Sequence, residues 1–381
     1  MKVVADTNIA YVREAFAEFG EVSLVTGRDL TPAQVRDADI LLVRSVTRVD
    51  AHLLGDSRVR FVSTATSGVD HVDQDYLAHR GIAFASAPGS NARSVAEYVL
   101  SAVLILMEGR GRRLADVTAA IVGCGHVGAQ VAHVLTAAGI RCLLNDPPLK
   151  DLTGEARFRG LDEVLSADIV TLHVPLTTTG RHPTYRLFDE AVLSRLQPDA
   201  ILINTARGGV VDEWALLHRL DRQPTMAVVV DCWEGEPNIN TELLAKAGLA
   251  TSHIAGYSFD GKVRATEMLY RAACQHFGRS AAWIPPTQPE GGFFHFSKEM
   301  GDEEILRRAV LSCYDAREDS AALKRALAIS PGKLAGYFDS LRRDYRRRRE
   351  FSTREISLPH GWDRLAKILE GIGFKMSQVN L

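Results

Sequence analysis

The sequence predicts an α/β protein: two doubly wound, parallel-sheet (Rossmann-like) domains plus a smaller C-terminal α+β domain. Three observations carry this. Short apolar, β-branched runs alternate with helix-like segments from Lys2 to about residue 90, and again from Thr118 to His253; such alternation implies parallel sheets covered on both faces. The stretch TAAIVGCGHVGAQVAHVLTAAGIRCLLND, residues 118–146, sets G-x-G-x-x-G directly after a strand and at the start of a helix. From about Pro285 two prolines and Gln-Pro-Glu-Gly-Gly read as a linker, beyond which the chain turns to charged amphipathic helices.

Length and composition set the frame. A chain of 381 residues has room for two or three domains. Its 46% hydrophobic and 24% charged residues are those of an ordinary soluble protein. The net charge of −2 provides no global field for nucleic acid or an anionic membrane. Cys124, Cys142, Cys232, Cys274 and Cys313 are scattered without a C-x-x-C pair, so free thiols are expected rather than disulfides, and no metal site. Met1 runs straight into KVVAD, and no apolar run nears the roughly 20 residues of a membrane span. The expectation is a cytoplasmic protein with no signal peptide.

In chain order, KVVAD, VSLV, DILLVRS and FVSTATS read as strands, with helical patterns over Ile9 to Phe19 and Pro32 to Ala38. Arg44-Ser45 and Thr66-Ser67-Gly68 fall at strand ends, where such sheets bind ligands; the loop TSGVDHVD is rich in groups that could hold an anion. Asn91 to Met107 reads as a long helix with an apolar second half. Ala119 to Val122 and Arg141 to Asn145 are strands flanking a helix from Val127 to Ala138. DIVTLHVP, AILINTA and MAVVVD continue the sheet, with helical segments at Leu161 to Leu165 and Glu190 to Leu196. In the C-terminal region helices are expected around Glu303 to Ser312 and Ala321 to Leu327, followed by the basic run RRDYRRRR, Arg342 to Arg349. A solvated helix face or an intersubunit contact is the plainer reading of that run, nucleic acid the other.

The glycine stretch has a physical reading. Gly123 permits the tight turn, Gly125 lets backbone approach a pyrophosphate, and Gly128 lets the helix pack against the strand. The helix N-terminus offers unpaired N–H groups and the positive end of its dipole. Asp146 would accept from ribose hydroxyls and repel a 2′-phosphate, which favours NAD over NADP.

Three further motifs follow predicted strands. Arg207 lies in NTARGGVVDE, Asp231 and Glu236 in DCWEGEP, and His253 in SHIAGYS. An arginine can fork a substrate carboxylate. A neutral histidine can take a hydroxyl proton, and a carboxylate behind it fixes the ring and steadies the imidazolium. Each residue taken alone is more often structural than catalytic: a surface arginine, a solvated acid or a satisfied loop histidine.

Taken together, GCGHVG with Asp146, NTARGGVVDE, DCWEGEP and SHIAGY resemble, in order, the signatures of the NAD-dependent D-2-hydroxyacid dehydrogenases over roughly residues 1–280. The resemblance implies that Arg207, Glu236 and His253 are the catalytic trio. It also implies a split architecture: residues 1–95 and 255–285 as substrate-binding domain, 96–254 as NAD-binding domain, and 286–381 as a C-terminal dimerisation domain. VRSVT, TATSGVDHVD, SHIAGYS and the extra C-terminal region are similar to one branch, whose members oxidise a phosphorylated four-carbon 2-hydroxy acid on the route to pyridoxal phosphate. By this resemblance Ser45, Thr66 and Tyr257 contact substrate, and Asp146, Asp231 and Gly256 contact NAD. The expected NAD set extends to Gly123, Gly125, His126, Val127, Gly128, Val174, Thr205, Ala206 and Arg207; the substrate set extends to Arg44, Ser67, Gly68 and Arg207. Many relatives carry Gly-Gly and a small residue where this chain has Ala-Gly-Tyr, which marks Tyr257 as a feature of the branch.

The expected partners are thus a phosphorylated hydroxy acid and a second copy of the chain, with no nucleic acid and no membrane. Arg207 serves the carboxylate, so the phosphate needs another group; Arg44 is the candidate, with a surface arginine paired to a nearby acid as the alternative. Two rival functions stay open: oxidation of another phosphorylated hydroxy acid such as 3-phosphoglycerate, and a non-enzymatic NAD-sensing corepressor.

Overall fold

The computed structural model describes residues 1–286, 292–296 and 300–377. Apart from Gly292, the stretch expected as a linker, Gln-Pro-Glu-Gly-Gly, lies outside the described residues. The chain forms two compact units: one holds residues 1–91 and the described residues from Tyr257 to Pro286, the other residues 92–256 and the described residues from Gly292 onward.

The first unit is built on β1 (Lys2–Asp6), β2 (Glu21–Val25), β3 (Ile40–Val43), β4 (Phe61–Thr64) and β5 (Ala83–Ser86). All are parallel, in the order β2-β1-β3-β4-β5. ILLV and FVST are buried along their whole length, as strands covered on both faces must be, whereas β2 is an exposed edge. β5 has the weak sequence signal AFAS, and its place is set by pairing with β4. The helix Phe259–His276 returns to this unit, capped where Ser258 Oγ accepts from Gly261 N at 2.8 Å. It packs Leu269, Tyr270 and Ala273 against Phe16 and Phe19. Strand order reverses between β1 and β3, so their carboxyl ends, at Asp6 and Arg44, flank a topological switch point.

The second unit carries β6 (Thr118–Val122), β7 (Arg141–Asn145), β8 (Ile169–Leu172), β9 (Ile201–Asn204), β10 (Ala227–Val230) and β11 (Leu249–Ala250). They too are parallel, ordered β11-β10-β9-β8-β6-β7, with the reversal between β6 and β8. The C-terminal part adds a parallel sheet of β12 (Phe293–His295), β13 (Glu355–Ser357) and β14 (Lys375–Ser377), with helices Asp302–Cys313, Ala316–Lys324, Pro331–Arg343 and Asp363–Ile372. The fold class is therefore α/β, two doubly wound parallel sheets with a small α+β addition. Among the described residues no helix is long and apolar enough to cross a membrane. All five cysteines are free.

The C-terminal part is joined to the second unit along the helix Ala92–Met107. Ser94, Glu97 and Ser101 form a buried polar stripe on this otherwise apolar helix. Ser94 Oγ donates to Glu350 Oε1 at 3.0 Å, Glu97 Oε1 accepts from Phe351 N at 2.9 Å, and Ser101 Oγ donates to Tyr314 O at 2.9 Å. Burial, together with the neighbouring Glu350, pushes the Glu97 carboxyl up to about 8, against the pull of Arg348 and Arg93.

Of the basic run, expected as a solvated helix face or an intersubunit contact, Arg343, Arg346 and Arg347 are exposed, but Arg348 is buried. Only Arg342 and Arg343 are helical, and the chain then turns inward. Arg348 is 4% exposed; it lies 3.7 Å from the Tyr314 ring centroid and donates to Ser94 O at 2.6 Å and Ala255 O at 3.1 Å. The physical reason is the acid pair beneath it, since Glu97 Oε2 lies 3.8 Å from Arg348 and Glu350 is buried. Removing one partner of a buried ion pair leaves the other uncompensated. Arg348→Met is therefore expected to lower the unfolding free energy by about 3–5 kcal/mol in urea titrations, while exposed Arg343→Met leaves the transition where it was.

Candidate active site

The loop after β6 is shaped by its glycines. Gly123 has φ 87°, and a Cβ there would lie 2.8 Å from the backbone of His173 and Val174. A Cβ on Gly128 would lie 1.8 Å from Gly123 O, which is why the helix His126–Ala137 can start so close to the strand. Gly125, by contrast, faces open space, with nothing within 4 Å of a Cβ built on it, and both it and His126 are exposed. A closely packed helix start with an open backbone face fits a pyrophosphate. Val127 follows in the first turn. At the end of β7, Asp146 accepts from Cys124 N at 2.7 Å and from Leu149 N at 3.0 Å, so the same carboxylate ties the glycine loop to the next helix.

His173, at the end of β8, is not among the residues expected from sequence. Its ring bridges Thr171 Oγ1 at 3.0 Å and Thr205 Oγ1 at 3.1 Å, beside Val174. Burial drives its pKa down to about 3, so it is a neutral prop for the Thr205-Ala206 turn. The signal for it is its position one residue past a buried strand, on the carboxyl-end rim.

That rim also carries the trio. Asn204, the last residue of β9, donates from Nδ2 to Arg207 O at 3.0 Å and Cys232 O at 3.3 Å, and accepts from Ala206 N at 3.1 Å. A Cβ on Gly208 would lie 2.0 Å from the Trp233 carbonyl, so the Arg207 loop and the loop leading to Glu236 touch backbone to backbone. Glu213 supports the latter loop by accepting from Glu234 N at 2.7 Å; burial raises its carboxyl to about 7.

Asp231 is 1% exposed and accepts from Thr251 Oγ1 at 2.6 Å, Ile254 N at 2.7 Å and Ala255 N at 3.1 Å. Its carboxylate is thereby committed to the loop that presents His253, while Gly256, at that loop's end, is half-buried. Held on both sides, His253 adopts φ 56°, a left-handed conformation uncommon for a residue with a side chain. Its Nδ1 lies 2.6 Å from Glu236 Oε1. A carboxylate only accepts, so Nδ1 carries the hydrogen and Nε2 of the neutral ring keeps its lone pair. Burial opposes charging this ring, yet Cys232 and Glu236 outweigh it and hold the imidazole well above its usual pKa.

The other candidate residues lie in the first unit. Ser45 is exposed, and Arg44 Nε lies 3.1 Å from Asp6 Oδ1; the arginine is thus paired with an acid, as the alternative reading allowed. Thr66 Oγ1 bonds Thr64 Oγ1 and Gly68 O, each at 2.8 Å, and Ser67 Oγ donates to Asn91 Oδ1 at 2.8 Å, which holds the loop in a fixed shape. Tyr257 stacks under the Lys262 ammonium, 5.0 Å from ring centroid to Nζ.

Comparison with known proteins agrees with this architecture. The family described as D-isomer specific 2-hydroxyacid dehydrogenase, NAD binding domain, matches residues 105–255, and a domain of unknown function matches residues 294–373. Among solved structures, the NAD-bound 3-phosphoglycerate dehydrogenase of Entamoeba histolytica superposes with a TM-score of 0.63 at 23% identity, covering 73% of this chain and 95% of that one. The TT0316 protein of Thermus thermophilus does so with a TM-score of 0.62 at 26% identity, covering 75% and 99%. Fold and family motifs thus define an NAD-dependent oxidoreductase of the 2-hydroxyacid dehydrogenase class. Erythronate-4-phosphate dehydrogenases are similar over nearly the whole length: that of Marinobacter nauticus at 45% identity, covering 99% of this chain and 100% of the relative, and that of Cronobacter sakazakii at 44%, covering 98% of each. The chain belongs to the erythronate-4-phosphate dehydrogenase family.

The glycine geometry gives a direct test. The atom met at 1.8 Å is backbone, which cannot swing aside. Gly128→Ala is expected to lower the melting temperature and weaken NAD binding at least tenfold by calorimetry, whereas Gly125→Ala, with open space, should leave the melting temperature unchanged.

Proposed function

We propose that the protein oxidises the C2 hydroxyl of 4-phospho-D-erythronate to 2-oxo-3-hydroxy-4-phosphobutanoate in pyridoxal phosphate biosynthesis. The observation that carries this reading is the near-full-length likeness to erythronate-4-phosphate dehydrogenases together with the His253–Glu236 contact at 2.6 Å. When bound, NAD accepts the C2 hydrogen as hydride. Gly123, Gly125, Gly128 and Asp146 would hold it. Arg207 orients the substrate carboxylate through its planar fork. Nε2 of His253 takes the hydroxyl proton as C2 becomes a carbonyl, and Glu236 stabilises the imidazolium that results. The likeness to 3-phosphoglycerate dehydrogenase at 23% identity is one of fold, so that rival substrate gains nothing from it, and the dehydrogenase relatives do not favour a corepressor role.

Assay of NAD reduction with 4-phospho-D-erythronate, 3-phosphoglycerate and D-lactate is expected to give the highest kcat/KM for the first. A preference for either of the others would refute the substrate assignment. His253→Ala should cost on the order of 10²–10⁴-fold in turnover while sparing NAD affinity.

The pH dependence has a definite sign. Oxidation requires the neutral ring, so activity falls as pH drops through the pKa of His253, which lies above the usual histidine value. Glu236→Gln keeps the shape and removes the charge that favours imidazolium, so the acidic limb of kcat/KM should move to lower pH with a reduced maximum. A limb that stays in place would uncouple Glu236 from the titrating group.

The C-terminal region, residues 286–381, is further proposed to pair two copies of the chain in the cytoplasm. Sedimentation velocity is expected to find a species of twice the chain mass, without salt-dependent binding to DNA.

A further inference from the structure

We propose that Lys262, together with Arg44, forms the subsite that holds the phosphate end of the substrate; this rests on the reading above that the substrate is a phosphorylated hydroxy acid. The placement comes from topology. In the first unit the strand order reverses between β1 and β3, and ligands of doubly wound sheets bind beyond the carboxyl ends of strands at such a point. Arg44 stands there, one residue before Ser45 and facing Asp6. Lys262 lies in the first turn of the helix Phe259–His276, with its ammonium 5.0 Å from the centre of the Tyr257 ring and within electrostatic reach of Arg44.

The charges at this point do not balance within the unit. Asp6 answers Arg44, but among the described residues no carboxylate pairs with Lys262; the groups that act on it are the Tyr257 ring and the Arg44 cation. Burial, and the repulsion of Arg44, hold the ammonium below the usual lysine range, with Tyr257 alone working in its favour. A half-buried lysine within electrostatic reach of another cation is an unfavourable arrangement for the unliganded protein, and an apolar residue would cover Tyr257 without that cost. A dianionic group between the two cations removes the repulsion. The start of the 18-residue helix adds a partial positive charge on the same side. A lysine suits this task as a compact point charge for phosphate, while the planar fork of Arg207 suits the carboxylate. Lys262 thus distinguishes a phosphorylated hydroxy acid from a plain one, and it does so through KM.

The test compares wild type, Lys262→Met and Lys262→Arg on 4-phospho-D-erythronate and on unphosphorylated D-erythronate. Methionine keeps a linear stem against Tyr257 and removes the charge. It is expected to raise KM for the phosphorylated substrate about tenfold to a hundredfold, far more than for D-erythronate, and arginine should restore most of the loss. Equal effects on both substrates, or none, would overturn the assignment. Calorimetric titration with inorganic phosphate separates this idea from the function on which it rests, because it needs no turnover. If 4-phospho-D-erythronate is not oxidised by wild type, the functional reading fails. Phosphate binding that disappears in Lys262→Met and returns in Lys262→Arg would still uphold the subsite, and binding indifferent to both changes would sink it.

Discussion

The rim of the second unit depends on one buried carboxylate. Asp231 follows β10 directly, 1% exposed, and a charge in that place must be fully bonded or neutralised. The donors are Thr251 Oγ1 and the N–H groups of Ile254 and Ala255. Bonding those three fixes the loop on both sides of His253, and His253 therefore takes a left-handed backbone angle that it would not choose in a free chain. The strain is small beside the desolvation of an unpaired carboxylate. The contact with Glu236 then follows, because the Glu236 loop is itself held by Asn204, Glu213 and the close approach at Gly208.

The same logic acts where the C-terminal part meets the helix Ala92–Met107. An apolar helix with Ser94, Glu97 and Ser101 on one stripe cannot be buried against plain hydrocarbon. The segment from Tyr314 to Phe351 supplies the Tyr314 carbonyl, the Glu350 carboxylate, the Phe351 N–H and the Arg348 guanidinium. One arginine of the basic run, Arg348, is thus spent on internal charge balance, while Arg343, Arg346 and Arg347 stay exposed. Burying two acids beneath an arginine adds little net stability by itself.

The two units use a common device differently. Each has a parallel sheet with one reversal of strand order, so each offers a set of carboxyl-end loops. In the second unit that set is a glycine turn, an acid and a histidine with its carboxylate. In the first it is hydroxyl-rich and basic, with Thr66 and Ser67 locked by their own hydrogen bonds and two cations nearby. Polar groups already fixed in place lose little freedom when a ligand arrives.

Local chemistry in the sequence determined a good deal. Apolar runs without alternation gave the buried strands, and the strand Arg141–Asn145 has the bounds read from its residues. The helix expected over Asn91 to Met107 spans Ala92–Met107, and G-x-G-x-x-G lies between strand and helix, where Gly123 and Gly128 answer steric demands of the turn and Gly125 leaves an open backbone face. Those signals are legible because they are satisfied within about thirty residues of chain. Tertiary structure alone decided the rest. β5 is a strand because β4 lies beside it, His173 is neutral because it is buried and props the Thr205 turn through its bond to that hydroxyl, and Arg348 is buried because Glu97 awaits it 251 positions earlier in the chain. Lys262 reads in sequence as one more helix lysine; its contact with Tyr257 is local, but only the fold brings it within reach of Arg44. The physical reason is that each environment is completed by groups the fold brings up, such as Thr205 for His173, Arg44 for Lys262 and Glu97 for Arg348, and a side chain's charge, burial and pairing are properties of that environment rather than of the residue.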